Sequence, residues 1–151
     1  MLETPHVVVG AVIATKVVNP ALAIPLAFAS HFVLDKVPHW NPHIDIELKK
    51  HGIVKSRSLK IIIVDSSIAL ISGVAIASRA LPNYTQAATI IIACFFASLP
   101  DMVQAPYYFM QSKNTLIKRW IKIQKRIQED VPIIPGLATQ ILVILAALWW
   151  I

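Results

Sequence analysis

Charge is scarce in this chain of 151 residues: Asp, Glu, Lys and Arg together make up 15% of it, against about 25% in an ordinary globular domain. With 56% apolar residues beside that deficit, the composition excludes a conventional water-soluble surface and points to lipid. Cysteine is rarer still. Cys94 stands alone inside TIIIACFF, so neither an intrachain disulfide nor a cysteine zinc site can form, and the thiol reads as a small packed hydrophobe. Acids are outnumbered by bases, eight to fourteen. The net charge of +6 is compatible with nucleic acid, but no recognition motif accompanies it and the apolar runs argue against it, so no nucleic-acid partner is expected. The opening residues, MLETP, hold an acid and no base, and no small-residue cleavage pattern follows, so the first helix is expected to be retained.

Apolar runs are what the chain has in plenty. Leu59 to Ala80, Tyr84 to Leu99 and Ile134 to Ile151 approach or exceed the length needed to cross a hydrocarbon layer of roughly 30 Å at about 1.5 Å per residue. Two shorter runs, Pro5 to Val18 and Pro20 to Val37, read as short tilted spans or as core helices. Together they predict an all-α, membrane-embedded bundle of about five hydrophobic helices in one domain. The polar site falls within about residues 1–110, an amphipathic helix covers about 113–130, and a C-terminal hydrophobic helix covers about 134–151.

Local signals order these elements. Thr4 before Pro5 reads as an N-cap with proline at the first helical position. Asn19 and Pro20 make a turn, and Ala21, Ala23, Ala27, Ala29 and Ser30 then allow close approach to Gly10, Ala11 and Ala14, which predicts a tight helical hairpin. Pro38 to Ser56 reads as a long polar loop. From Asn114 to Gln128, Leu116, Trp120, Ile123 and Ile127 recur at helical spacing, with Lys118, Lys122, Lys125 and Arg126 on the other side. That pattern suits a helix lying on an anionic lipid surface, or the solvated basic face of a bundle. Lys16 and Arg79 fall at one end of the bundle and the other twelve bases at the opposite end, which predicts a bacterial-type inner or plasma membrane with the polar end in the cytoplasm.

That polar end gathers the chemistry. His31 and Asp35 are spaced i, i+4 and share a helix face, either as metal ligands or as a surface pair. His6 lies thirteen residues before Asn19 and His31 twelve after it, so an antiparallel hairpin carries both to one height, about 18–20 Å from the turn, unless His6 is simply an exposed terminal residue. Asp65, inside IIIVDSSIALI, needs a partner in the bundle interior and lies about 12 Å below the same end. Asp101 follows the next apolar run, as a further ligand or as an acid favouring a helix start. His6, His31, Asp35, Asp65 and Asp101 therefore form a candidate site for a divalent transition metal, zinc before manganese or iron. Candidate catalytic residues are Asp65 and Asp101, to orient water, and His39, as a general acid. His39, His43 and His51 all sit in the polar segment, where ligand, acid and exposed loop remain alternative readings.

TPH near the start, SHFVLD followed by PHW, and SLPD after an apolar helix resemble the membrane-bound metal-dependent hydrolases, whose histidine and HxxxD patterns are similar to those of zinc-dependent phospholipase C. The likeness covers roughly the first 110 residues and implies that His6, His31, Asp35 and Asp101 are metal ligands. PDxDH and HRxxTHS segments, expected of a typical member, are absent, and Met102 and Val103 stand where a next acid would fall. The expected function is a metal-dependent hydrolase acting on a phosphoester, such as a phospholipid head group, with Lys49, Lys50, Lys55 and Arg57 attracting the anion. The alternative is a non-catalytic membrane scaffold or assembly subunit whose acids and histidines form a structural polar network. Anionic membrane lipids are the expected partners, and a homo-oligomer is compatible with the sequence.

Overall fold

In the computed structural model, which describes residues 1–151, the chain forms eight α-helices and no strands. They are α1 (Glu3–Lys16), α2 (Pro20–Leu34), α3 (Ile44–His51), α4 (Ser56–Ser78), α5 (Tyr84–Met102), α6 (Ala105–Phe109), α7 (Thr115–Ile127) and α8 (Ile133–Trp149). The centre of the bundle is α1, which packs against α2, α4, α5 and α8. Small residues make this possible. A Cβ placed on Gly10 would lie 2.7 Å from Ala97 Cβ and 3.1 Å from the Ala93 carbonyl oxygen, so nothing larger than hydrogen fits where α1 meets α5. Ala23 and Ala27 of α2 are buried with Ala11 and Ala14 of α1, the hairpin contact expected from the sequence, while Ala21 and Ala29 face outward. The turn is closed by Asn19, whose Oδ1 accepts the Ala21 N–H at 3.0 Å.

The expectation of about five spanning helices is corrected. Only α4, with 23 residues, and α5, with 19, are long and apolar enough to cross a membrane. The hydrophobicity of α1 has another cause: it is a core helix of 14 residues, nine of them buried. With 15 and 17 residues, α2 and α8 fall short of the roughly 20 that a span requires. Their outer faces are nonetheless apolar, with Leu22 and Val33 of α2 and Ile134 and Leu142 of α8 exposed beside Ile63, Leu70 and Ile71 of α4.

Three further details differ from the sequence reading. Thr4 is not the cap of α1, because the helix already starts at Glu3. The segment from Pro38 to Ser56 is not all loop: α3 forms within it, with Asp45 and Glu47 in its first turn, Lys49, Lys50 and His51 in its last, and Gly52 in the left-handed region behind it at φ 73°. The third concerns α7, which exists as expected and is capped by Asn114, whose Oδ1 accepts the Leu116 N–H. Yet it turns Ile121 and Gln124 inward and leaves Leu116 and Ile123 exposed. Trp120 fixes that orientation by donating Nε1–H to the Pro100 carbonyl at 2.9 Å and meeting Phe32 edge to face.

Asp45 ties α3 to α7 by an ion pair with Lys125 and pairs within α3 with Lys49 at 3.0 Å. Burial would raise the Asp45 pKa, but the two lysines outweigh it and hold the carboxyl below the ordinary carboxylate range. A carboxyl with a depressed folded-state pKa stabilises above its unfolded value, about 3.9, and loses that contribution as pH falls through the folded value. Amide exchange across residues 115–127 should therefore stay constant from pH 8 to 5 once corrected for intrinsic rates, and accelerate only below about pH 4. Acceleration already at pH 6 would show that a different group holds α7 in place.

Candidate metal centre

The hairpin brings His6 and His31 to one level, where their rings stack with centroids 3.9 Å apart and planes 18° from parallel. Asp35, the C-cap residue of α2, lies against both: Oδ1 is 3.4 Å from His6 Nε2, and Oδ2 is 3.4 Å from His31 Nε2. Asp101 approaches from the last turn of α5, its Oδ1 3.7 Å from His31 Nε2. It therefore ends a helix instead of starting one. One ligand atom from each of His6, His31 and Asp101 lies within 4.8 Å of the others, a spread that one ion can bridge by small side-chain movements. His6, His31 and Asp35 are shut away from solvent, while the Asp101 side chain remains 21% exposed.

Backbone carbonyls set the histidine tautomers. His31 Nδ1 lies 2.8 Å from the Ala97 carbonyl, which can only accept, so Nδ1 carries a proton and Nε2 is the nitrogen that faces the cluster. His39 repeats the arrangement: Nδ1 donates to the Val37 carbonyl at 2.8 Å, and Nε2 stands 3.9 Å from Asp35 Oδ1. Burial is the main cause that lowers the His39 pKa, leaving the ring neutral near pH 7. Its place is fixed by neighbours on both sides, the His39 N–H donating to Glu129 and its carbonyl accepting from Val131. Below it, Thr139 and Gln140 of α8 donate to the carbonyls of Pro38 and Trp40, and Gly136 lets the helix touch the Trp40 backbone.

Lone pairs and a carboxylate that face one another repel unless a cation stands between them. One such charge is the Met1 amino group, 2.5 Å from Asp35 Oδ1. His6 is left unserved. Both of its ring nitrogens are buried with no hydrogen-bond partner, since Asp35, although near, is not aligned with Nε2. An orphaned imidazole costs about 1–3 kcal/mol, and a metal ion is the ligand its lone pair fits. His31 matches metal-binding histidines, whose second nitrogen is usually held by a carbonyl or carboxylate, whereas neither nitrogen of His6 is held in this way. Gln104 donates to Asp101 Oδ1 at 2.8 Å and contacts Gln124, whose Nε2 lies 3.3 Å from His31 Nε2.

Asp65 stands apart from this group. Its Oδ2 accepts the Glu3 N–H at 2.6 Å, and its Oδ1 accepts the Thr4 N–H at 3.3 Å and the Thr4 hydroxyl at 2.6 Å. The buried carboxylate of α4 thus caps α1 across the bundle, at the positive end of the helix dipole. His43 is half exposed and pairs with Asp130, and His51 is exposed at the end of α3. Lys50, Lys55 and Arg57 are also exposed, and Lys49 is engaged by Asp45. The sequence reading did not single out Glu3, Gln104 or Gln124. Glu3 precedes His6 by one helical turn, a spacing that places both on one face of α1. Comparison with family models, with curated proteins and with solved structures gave no match.

Proposed function

We propose that the chain is a membrane-embedded, metal-dependent hydrolase of a phosphoester, with its polar end toward the cytoplasm. The observation that carries this reading is the orphaned His6 ring, stacked on His31 and within bridging distance of Asp101. His6, His31 and Asp101 would hold the ion, with Asp35 as a further carboxylate at the same imidazoles. A divalent ion in that position acidifies an attacking water and offsets negative charge on phosphoryl oxygens. The Ala97 carbonyl holds His31 by Nδ1, so that Nε2 is the nitrogen turned toward the cluster, and Gln104 holds the Asp101 carboxyl. Asp101, the partly exposed member of the cluster, would orient the water, and His39 lies one carboxylate further in. Membrane placement is supported by the length and composition of α4 and α5 and by the apolar outer faces of α2, α4 and α8. Zinc suits two imidazoles and a carboxylate best, and manganese or iron are the next choices.

The purified protein, in detergent or vesicles, is expected to hydrolyse an aryl phosphodiester or a phosphatidylglycerol head group only with its metal present. Asp101→Asn should lower kcat at least 100-fold, the scale typical of losing a proton-transfer group. Full activity in Asp101→Asn, or activity indifferent to chelator, would defeat the assignment.

A scaffold role is the second reading. It is favoured by Asp65, a buried acid wholly occupied in capping α1, and by the Met1 amino group already paired with Asp35. A stably folded, metal-free preparation with no hydrolytic activity would select it.

A further inference from the structure

A cavity of about 410 Å³ runs between α4 and α5 and opens sideways, in the direction that the span-length helices present to their surroundings. Its walls are Val7, Ala69, Leu70, Val74, Ile91 and Phe95. Leu70, Val74, Ile91 and Phe95 are all exposed, so the rim merges with the apolar exterior of the bundle. Polarity is confined to one end, where Glu3, Ser66 and Ser98 line the cavity. That end is the one bearing the metal cluster, because Glu3 lies one turn from His6 and Ser98 one turn from Asp101. From Ser66 to Val74 the groove follows α4 for about 12 Å.

Glu3 adds a second observation. Its Oε2 is buried and has no hydrogen-bond partner, although the residue lines the groove. A carboxyl oxygen left open at the polar end of an otherwise apolar slot is matched by a head group that carries a hydrogen-bond donor, such as the hydroxyls of a phosphatidylglycerol head. A water-soluble substrate has no reason to enter from that side. An amphiphile does, because its chain matches the walls and its head matches the end.

We infer that the groove between α4 and α5 takes one hydrocarbon tail of a membrane lipid from the side of the bundle and brings its polar head past Glu3 to Asp101. The inference rests on the hydrolase reading for the use made of the head group. It adds the route, the tail-binding walls and a restriction of substrates to lipids over soluble phosphoesters.

The test uses the full chain in phosphatidylcholine vesicles with a phosphatidylglycerol probe that carries a photoreactive diazirine in one tail. Cross-links should concentrate on residues 66–74 and 91–98, several-fold above those on the outer faces of α2 and α8. Unlabelled phosphatidylglycerol should compete them away. Ser66→Leu combined with Ser98→Leu, which fills the polar end from two helix surfaces, should lower groove labelling about tenfold. Metal content, measured on the same samples, separates the two readings. Groove labelling that persists in a metal-free His6→Phe variant supports the tail site even where the hydrolase reading fails. Labelling spread evenly over α2, α4, α5 and α8, labelling that excess unlabelled probe does not reduce, or a groove covered by a second copy of the chain would overturn the inference.

Discussion

Replacing His6 by phenylalanine is expected to reduce the bound transition metal from about one ion per chain to background and to abolish the effect of chelator on stability. Phenylalanine keeps a ring to stack on His31 but removes the two buried nitrogens that have no hydrogen-bond partner. In chelator-treated protein this relieves an unsatisfied-group penalty of about 1–3 kcal/mol, so the variant should melt a few degrees above the parent. With metal present the order reverses, because the parent gains the binding free energy of the ion and the variant does not. Thermal melts with and without chelator, alongside elemental analysis, check both halves. An unchanged order of melting temperatures in the two conditions would mean that His6 holds no ion.

The second large effect belongs to Asp65. Asp65→Leu is expected to destabilise the bundle by about 3–5 kcal/mol, since a buried anion that serves two N–H groups and a hydroxyl at the start of α1 is removed and the donors stay behind. Asp65→Asn should fall between Leu and the parent, because its carbonyl oxygen still accepts while its amide group faces donors. Denaturant titration followed by helical circular dichroism measures the series. Metal content should be unchanged in Asp65→Asn. Loss of the ion in that folded variant would place Asp65 among the ligands and contradict its role as a cap.

How far the sequence discloses this arrangement depends on what each feature is made of. The meeting of His6 and His31 is legible because it follows from helical rise and from one turn at Asn19 and Pro20, both local matters. That Asp65 requires a partner is legible as well, but its partner is not, since the donors are mostly backbone N–H groups of α1, which any sequence carries. The number of spans was overcounted because hydropathy registers oiliness alike in a core helix and a lipid-facing one. α1 is apolar because it is buried among its neighbours, whereas α4 carries apolar residues on faces that stay exposed. α3 was hidden by Pro38 and Pro42, which mark turns without revealing that a helix resumes at Ile44. Gln124 lies four residues after Trp120 and three after Ile121, on the inward side of α7, but that it meets His31 there is a tertiary matter, set by the docking of Trp120 on Pro100.

X-ray absorption at the zinc edge of the purified protein addresses the metal centre most directly. It should show about two imidazole nitrogens and one or two carboxylate or water oxygens at about 2.0–2.1 Å, with the multiple-scattering pattern of histidine rings lost in His6→Phe. A folded protein with no metal edge above background, or an ion surrounded by oxygen alone, would contradict the assignment of His6, His31 and Asp101 as its ligands.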